Sequence, residues 1–189
     1  MPRGFPVVSA FMILLALAAP AARATQMEHL DTRALVAGSD DIVVGQIESV
    51  QSRWSPSHTK IFTDVKVHVT QSLKGAATER ITLTQLGGQI GDMRYDIAGC
   101  PVFKPGEEAL LFVWRDDRGS AQVNGLAQGK FDIERDPATG IATVQRSVPG
   151  LAIREARTLK LVPAGERAPR IPLSDLMHEI QRVIQEGGR

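Results

Sequence analysis

Residues 41–75 constrain the fold more than any other stretch, because apolar and polar residues alternate through them with the spacing of β-strands. In the second half, one side of the alternation carries Ile61, Val65, Val67 and Val69, with Thr63 as its only polar member. A period of two directs one face of a strand toward a core and the other toward water. The segment therefore predicts a long, strongly curved β-hairpin with its turn at residues 55–58.

The first strand of this hairpin, residues 42–53, would be about 40 Å long if it were straight, which exceeds most strands of globular domains. Its apolar phase shifts along the strand, and Gly45 lies inside it, where a glycine commonly marks a bulge or a bend. Closing a small barrel requires a long, bent strand, because one strand must then serve both sides. We therefore expect a small barrel built around this hairpin.

Further stretches predict the remaining strands. Residues 80–86 (RITLTQL) place Ile81 and Leu83 on the core face. Residues 109–114 (ALLFVW) are apolar without a break, which predicts a strand buried on both faces, with Trp114 in the core. One face of this strand would line the barrel interior, and the other must pack against another element of the chain. Shorter strands are expected at residues 120–126, 130–134 and 141–146.

Two helices are expected beside these strands. Residues 28–38 predict a short helix, with Asp31 or Thr32 as its N-cap and Gly38 as its end. A second helix is predicted over residues 174–189, starting at Ser174, and its apolar stripe consists of Leu176, Met177, Ile180, Val183 and Ile184. Such a stripe usually packs on the protein's own sheet, and partner binding is the alternative. The predicted fold is mostly β: a small closed or partly open barrel with a short N-terminal helix and a C-terminal amphipathic helix packed on it.

The first 24 residues have the pattern of a signal peptide. Arg3 precedes an apolar run over residues 7–19, and the small-x-small triplet Ala22-Arg23-Ala24 follows. The run is short for a membrane span, which needs roughly 20 residues, so an uncleaved anchor is the less favoured alternative. We expect export to the periplasm or the extracellular space and no membrane association after cleavage. The exported chain would comprise a barrel domain (25–148), an extended proline-rich wrap or solvated linker (149–173) and the C-terminal helix (174–189).

Charge argues against nucleic acid as a partner. Removing a segment with two arginines and no acidic residue leaves 20 basic and 21 acidic residues, a net charge of −1. Proteins that bind nucleic acid rely on an excess of basic residues to neutralise phosphates. We therefore expect no nucleic-acid binding.

The sequence carries no catalytic or metal-binding motif. HExxH, GxSxG and CxxC are all absent, and His29, His58, His68 and His178 show no ligand spacing. We expect no metal, no cofactor and no enzymatic activity, with an enzyme whose site lacks a known motif as the alternative. Cys100 is the single cysteine, so no disulfide can form within the chain. It is expected to be a buried apolar residue, with a reactive thiol or an intermolecular disulfide as alternatives.

A loop of nearly twenty residues, 87–105, is the first candidate for a functional segment, because such loops are uncommon in compact domains and often functional. Tyr95 lies in this loop and Trp54 lies beside the turn of the hairpin, and both could anchor a protein partner. His58, Cys100 and Phe103 complete the predicted partner-binding set. The alternative is that each of these side chains packs under its own loop.

The order of elements resembles the netrin-like domain, the OB-fold barrel of the tissue inhibitors of metalloproteinases. The resemblance lies in a short helix, SDDIVVGQI, a strand ending in LKG, a third strand, a loop with a Gly-Cys pair, and GEEALLFVW. It extends over about residues 30–131 and the C-terminal helix. It implies an OB-like barrel of a bacterial-type exported branch.

The resemblance further implies a module that binds another exported protein, and one alternative is an inhibitor of a secreted zinc protease. In those inhibitors a mature N-terminal cysteine chelates the catalytic zinc and a disulfide holds that end to the barrel. Here the expected mature end is Thr25 and Cys100 has no partner in the chain, so this mechanism does not carry over. A carbohydrate-binding module is a further alternative, since OB-folds bind oligosaccharides and sugar binding needs little charge.

Overall fold

A computed structural model of the protein describes residues 26–76, 78–146, 148, 152–154, 161–162 and 169–187. The predicted signal peptide and most of the predicted wrap lie outside the described residues. Within them, no helix is long and apolar enough to cross a membrane.

Strands dominate the described chain, and two α-helices and one 3-10 turn accompany them. In chain order the elements are β1 (Gln26–Glu28), α1 (Thr32–Ala37), β2 (Asp41–Trp54), β3 (Ile61–Lys74), β4 (Arg80–Leu86), β5 (Gly88–Ile90), β6 (Met93–Tyr95), β7 (Glu108–Arg115), β8 (Ala121–Val123), a 3-10 turn (Leu126–Gly129), β9 (Lys130–Arg135), β10 (Ala142–Arg146), β11 (Ala152–Arg154), β12 (Leu161–Val162), β13 (Ile171–Pro172) and α2 (Leu173–Gly187). The long hairpin of the sequence prediction is β2 and β3, which confirms that prediction.

Five strands form a closed barrel in the order β7-β2-β3-β4-β8, and β8 pairs back with β7. The neighbouring pairs are antiparallel except β4 and β8, which meet in parallel at Leu83 and Ala121. Beyond β7, the sheet continues outside the barrel through β9, β10 and β13. The predicted fold class, a small OB-like barrel with a helix near each end, is confirmed.

Strand β7 separates two hydrophobic cores. Its residues Ala109, Leu111 and Val113 point into the barrel, while Leu110 and Phe112 point to the opposite side. All five of these residues are fully buried. The interior core fills the barrel, and the outer core lies between the sheet and the two helices. The sequence prediction of a strand buried on both faces is therefore confirmed.

Helix α2 supplies the cover that the outer face of β7 requires. Its residues Leu176, Ile180 and Val183 are buried in the outer core together with Leu35 and Val36 of α1. Helix α1 begins at Asp31, whose Oδ1 accepts a hydrogen bond of 2.8 Å from the backbone N–H of Ala34. This contact is a typical N-cap, so Asp31 fills the capping role that the sequence left open between two residues.

Strand β2 bends where its pairing with β3 is irregular. The register shifts at three places, one of them between Val44 and Gly45. A Cβ atom on Gly45 would lie 2.6 Å from the carbonyl oxygen of His68 and 2.6 Å from Cγ1 of Val67. The two backbones approach so closely here that only glycine fits, and the predicted bulge is confirmed.

Four local predictions were wrong. Helix α2 begins at Leu173, so Ser174 lies inside the helix instead of capping its start. The loop of residues 87–105 contains a small hairpin, β5 and β6, whose turn has Gly91 at a φ of +56°. The strand expected at residues 120–126 is limited to β8, because Gly125 and Leu126 both have positive φ and begin the 3-10 turn. Trp114 is only half-buried and belongs to neither core.

Replacing Gly45 with alanine tests whether this bulge sustains the barrel. We expect Gly45→Ala to lower the free energy of unfolding by roughly 1–3 kcal/mol, because the added methyl group overpacks the approach of β2 and β3. Urea unfolding followed by tryptophan fluorescence measures the change. Gly187→Ala is the matched control, since a Cβ atom there meets nothing within 4 Å, and we expect it to change stability by less than about 0.5 kcal/mol. Equal losses for both variants would contradict this role of Gly45.

Candidate functional site

A pocket of about 710 Å³ lies at one end of the barrel, beneath the loop of residues 87–105. The ends of β2, β3 and β4 form one side of it, through Val50, Ser52, Thr63 and Gln85. The loop forms the other side. Val50 and Phe103 also belong to the interior core, so the pocket is the open mouth of the barrel.

A chain of hydrogen bonds holds the base of the loop on the hairpin. Thr63 Oγ1 donates to the carbonyl oxygen of Gly87 (2.7 Å), and Ser52 Oγ lies 3.0 Å from Thr63 Oγ1. Because the proton of Thr63 is already engaged, Ser52 is the donor in that second bond. Ser52 Oγ in turn accepts from the backbone N–H of Gln89 (3.2 Å).

Gly88 permits this close contact. A Cβ atom on Gly88 would lie 2.3 Å from Thr63 Oγ1 and 2.4 Å from Ser52 Oγ, and its φ is +138°. Glycine is the residue that tolerates both the conformation and the approach. The loop therefore begins in direct contact with the hydroxyl groups of Ser52 and Thr63, and the pocket opens beside this contact.

The second half of the loop is anchored in the barrel. Phe103 is only 9% exposed and packs into the interior core. The ammonium group of Lys130, itself buried, lies 5.0 Å from the centroid of the Phe103 ring and forms ion pairs with Glu107 and Asp132. Cys100 is half-buried and not fully buried as the sequence predicts, and its Sγ contacts the carbonyl oxygen of Leu86 at 3.6 Å. Both ends of the loop are therefore fixed, while its middle lies outside the barrel.

The structure divides the predicted partner-binding residues into two groups. Tyr95, Cys100 and Phe103 line the pocket together. Trp54 and His58 lie at the hairpin turn, with ring centroids 6.0 Å apart, and they stack on each other outside the pocket. Phe103 is a core residue, so it forms part of the pocket wall and presents no free surface. A role in partner binding for the whole set stays a prediction.

Sequence reasoning did not identify Met93, Val102 and Gln85. Met93 is 57% exposed, Tyr95 42% and Val102 62%, so all three project apolar surface from the same loop. Nothing in the sequence of an irregular loop indicates which side chains face outward. The sequence did indicate that Gln85 faces inward, because it follows Ile81 and Leu83 at the next inward position of β4. The sequence also distinguished Thr63, because it is the polar member of an otherwise apolar strand face.

The walls of the pocket have no net charge. Arg94 and Asp96 are the charged residues among those that line it, and their side chains form an ion pair at 2.7 Å. Both are about two-thirds exposed, at 67% and 70%, so the pair lies at the rim in contact with water. The pocket is therefore suited to an uncharged occupant.

The pocket lining includes one thiol, that of Cys100. Burial raises the pKa of the Cys100 thiol, which keeps it protonated and poorly nucleophilic. Among the residues lining the pocket there is no histidine to act as a base. Nowhere in the described part of the chain do three or more His, Cys, Asp or Glu residues form a group that could hold a metal ion.

Comparison with known proteins gives no assignment, because no family model matches the sequence and no curated protein is significantly similar to it. The geometry of the pocket and loop therefore carries the functional argument.

The raised pKa of Cys100 can be measured through its reactivity. We expect alkylation by iodoacetamide at pH 8 to be several-fold slower in the folded protein than in urea, because the thiolate is the reactive form. The midpoint of the pH–rate profile should also shift upward on folding. A cysteine at the exposed position 181, in the double variant Gln181→Cys, Cys100→Ser, should show no such shift. Identical profiles for Cys100 in the folded and unfolded states would contradict the burial argument.

Proposed function

We propose that this chain is an exported, non-enzymatic module that binds another exported protein through the loop of residues 87–105. One observation carries the proposal. Four large apolar side chains are exposed in the described part of the chain, and three of them, Met93, Tyr95 and Val102, lie on this loop. Exposed apolar side chains concentrated on one segment are characteristic of interaction sites, whereas scattered ones need no explanation.

The way in which the loop is attached supports this proposal. Its base is pinned by Ser52 and Thr63 and its end by Phe103, so docking costs less conformational entropy than it would for a free loop. Tyrosine and methionine are also enriched at protein interfaces relative to the rest of a protein surface. An apolar surface on a fixed scaffold is therefore suited to a protein partner.

Substitution of the exposed loop residues tests the proposed surface. We expect a loop variant carrying Met93→Ser, Tyr95→Ser and Val102→Ser to recover its partner from the exported protein fraction at least about tenfold less well, because apolar anchors dominate interface energies. Quantitative mass spectrometry of the captured proteins provides the measurement. The thermal unfolding midpoint of each variant shows whether the barrel is intact.

Ile141→Ser is the matched control, since Ile141 is 59% exposed but lies in the turn between β9 and β10. We expect this variant to capture the same partner as the unmodified protein. If the loop variant and the control recover equal amounts of the same proteins, the loop is not the docking surface.

We also propose that the barrel is related to the netrin-like domain. The order of elements supports this kinship: a short helix, a long bulged hairpin, a third strand, a loop, a strand buried on both faces and a C-terminal helix. It makes inhibition of a secreted zinc protease the second candidate function. The exposed strand β6 favours that candidate, because apolar side chains such as those of Met93 and Tyr95 can enter a protease cleft.

Enzyme assays separate the inhibitor from a general binding module. If the chain is an inhibitor, micromolar protein should slow cleavage of a fluorogenic peptide by exported zinc proteases of the source organism. The loop variant should lose this effect while Ile141→Ser keeps it. Absence of inhibition would remove the inhibitor candidate and leave the binding module in place.

A further inference from the structure

The pocket at the barrel mouth contains an amide group that lacks a partner. Gln85 lies at an inward position of β4, is only 9% exposed and lines the pocket. Its carboxamide makes no hydrogen bond to any of the residues that the structure describes. Polar side chains this deeply buried usually have a hydrogen-bond partner within the protein. The amide atoms of Gln85 are not sealed from solvent but remain accessible at the pocket, so an occupant of the pocket can supply that partner.

The surroundings of Gln85 restrict the chemistry of that occupant. Val50, Leu86, Ile97 and Phe103 contribute apolar wall, and the two charged residues at the rim neutralise each other. The hydroxyl groups of Ser52 and Thr63 are already committed to the loop backbone. A fitting occupant is therefore uncharged and largely apolar, with one group that can both donate and accept a hydrogen bond.

We propose that the pocket receives an extended segment of the protein partner, with an uncharged apolar side chain inside and the adjoining peptide group bonded to Gln85. A carboxamide and a peptide group are complementary, because each offers one N–H donor and one carbonyl acceptor. The volume of about 710 Å³ is within the range of roughly 300–1,000 Å³ that is usual for sites enclosing small ligands. This inference rests on the proposed function and specifies what the partner presents to the loop.

The position of the pocket fits this arrangement. Tyr95 and Val102 are exposed and also line the pocket, so the apolar surface of the loop continues into the barrel mouth. A segment that lies on the loop can therefore reach Gln85, which lines the same pocket. The loop then provides contact area, and the pocket provides selection for an uncharged side chain.

Nuclear magnetic resonance with blocked peptides tests the inference directly. The probes are N-acetyl-Ala-Leu-Ala-amide and N-acetyl-Ala-Phe-Ala-amide, added to ¹⁵N-labelled protein. We expect a saturable shift of the side-chain amide signals of Gln85, which are identified by their loss in the Gln85→Met variant. Peptides with Asp or Lys in the central position should produce no saturable shift. The charged residues at the rim, Arg94 and Asp96, already pair with each other and are not free to bind either side chain.

The single thiol gives an independent measure of occupancy, since Cys100 lines the same pocket. We expect the Leu and Phe peptides to protect Cys100 from 5,5′-dithiobis(2-nitrobenzoate). In Gln85→Met, half-protection should require about fivefold more peptide, which corresponds to the loss of one neutral hydrogen bond. Gln181→Met is the matched control, because Gln181 is exposed on α2 and is not among the residues that line the pocket. Protection of this variant should be unchanged.

Each alternative outcome overturns the inference in a recognisable way. If peptides shift backbone signals of Met93 and Val102 but neither the Gln85 side chain nor Cys100 protection, the loop binds proteins and the pocket is not occupied. If maltose shifts Gln85 saturably and no peptide does, the pocket is a sugar site. If no probe acts up to its solubility limit, the pocket does not select a peptide segment. The capture experiment with the loop variant does not depend on these three outcomes. Failure of the proposed function can therefore be told apart from failure of this inference.

Discussion

Strand β7 is the element on which the rest of the structure depends, because it is buried on both faces. Its inward residues complete the barrel interior, and its outward residues form the floor on which both helices pack. Complete burial of an aliphatic or aromatic side chain contributes about 1.5–3 kcal/mol, and β7 supplies Leu110, Leu111, Phe112 and Val113. Neither the barrel nor the outer core could form without this strand.

The closed barrel explains why the pocket lies where it does. Strands β2 and β3 serve both sides of the barrel: residues 41–46 of β2 pair with β7, and residues 62–68 of β3 pair with β4, which leads directly into the loop of residues 87–105. Gly45 allows β2 to bend into the barrel at one end, and the hydroxyl pair of Ser52 and Thr63 fixes the loop at the other. The interior core stops at Phe103, and the space beyond it remains open as the pocket.

Apolar surface is the main feature of the site. Its thiol is kept protonated by burial, and its two charges cancel at the rim. It offers apolar surface and the amide of Gln85, which has no partner among the described residues, and a fixed scaffold holds both. Such groups contribute affinity and selectivity for an uncharged segment, which connects the proposed binding function with the inferred occupant.

The sequence by itself determined the elements with strong periodicity and the start of α1, whereas the start of α2 lies at Leu173 and not at the predicted cap Ser174. The alternation in β2, β3 and β4, the unbroken run of β7, the cap at Asp31 and the stripe of α2 all appear where local patterns indicated them. These elements are predictable because each pattern reflects a single burial requirement. The hairpin of β5 and β6 and the end of β8 were missed, since they depend on backbone conformations at Gly91 and Gly125 that side-chain patterns do not show.

Only the tertiary structure decided which residues form the site. Ser52, Gln85, Tyr95 and Cys100 lie far apart in the chain and meet because the barrel closes and brings the loop over its open end. The same closure placed Phe103 in the core and left Met93 and Val102 exposed. Exposure in an irregular loop depends on which neighbours fold over it, and the sequence of the loop does not contain those neighbours.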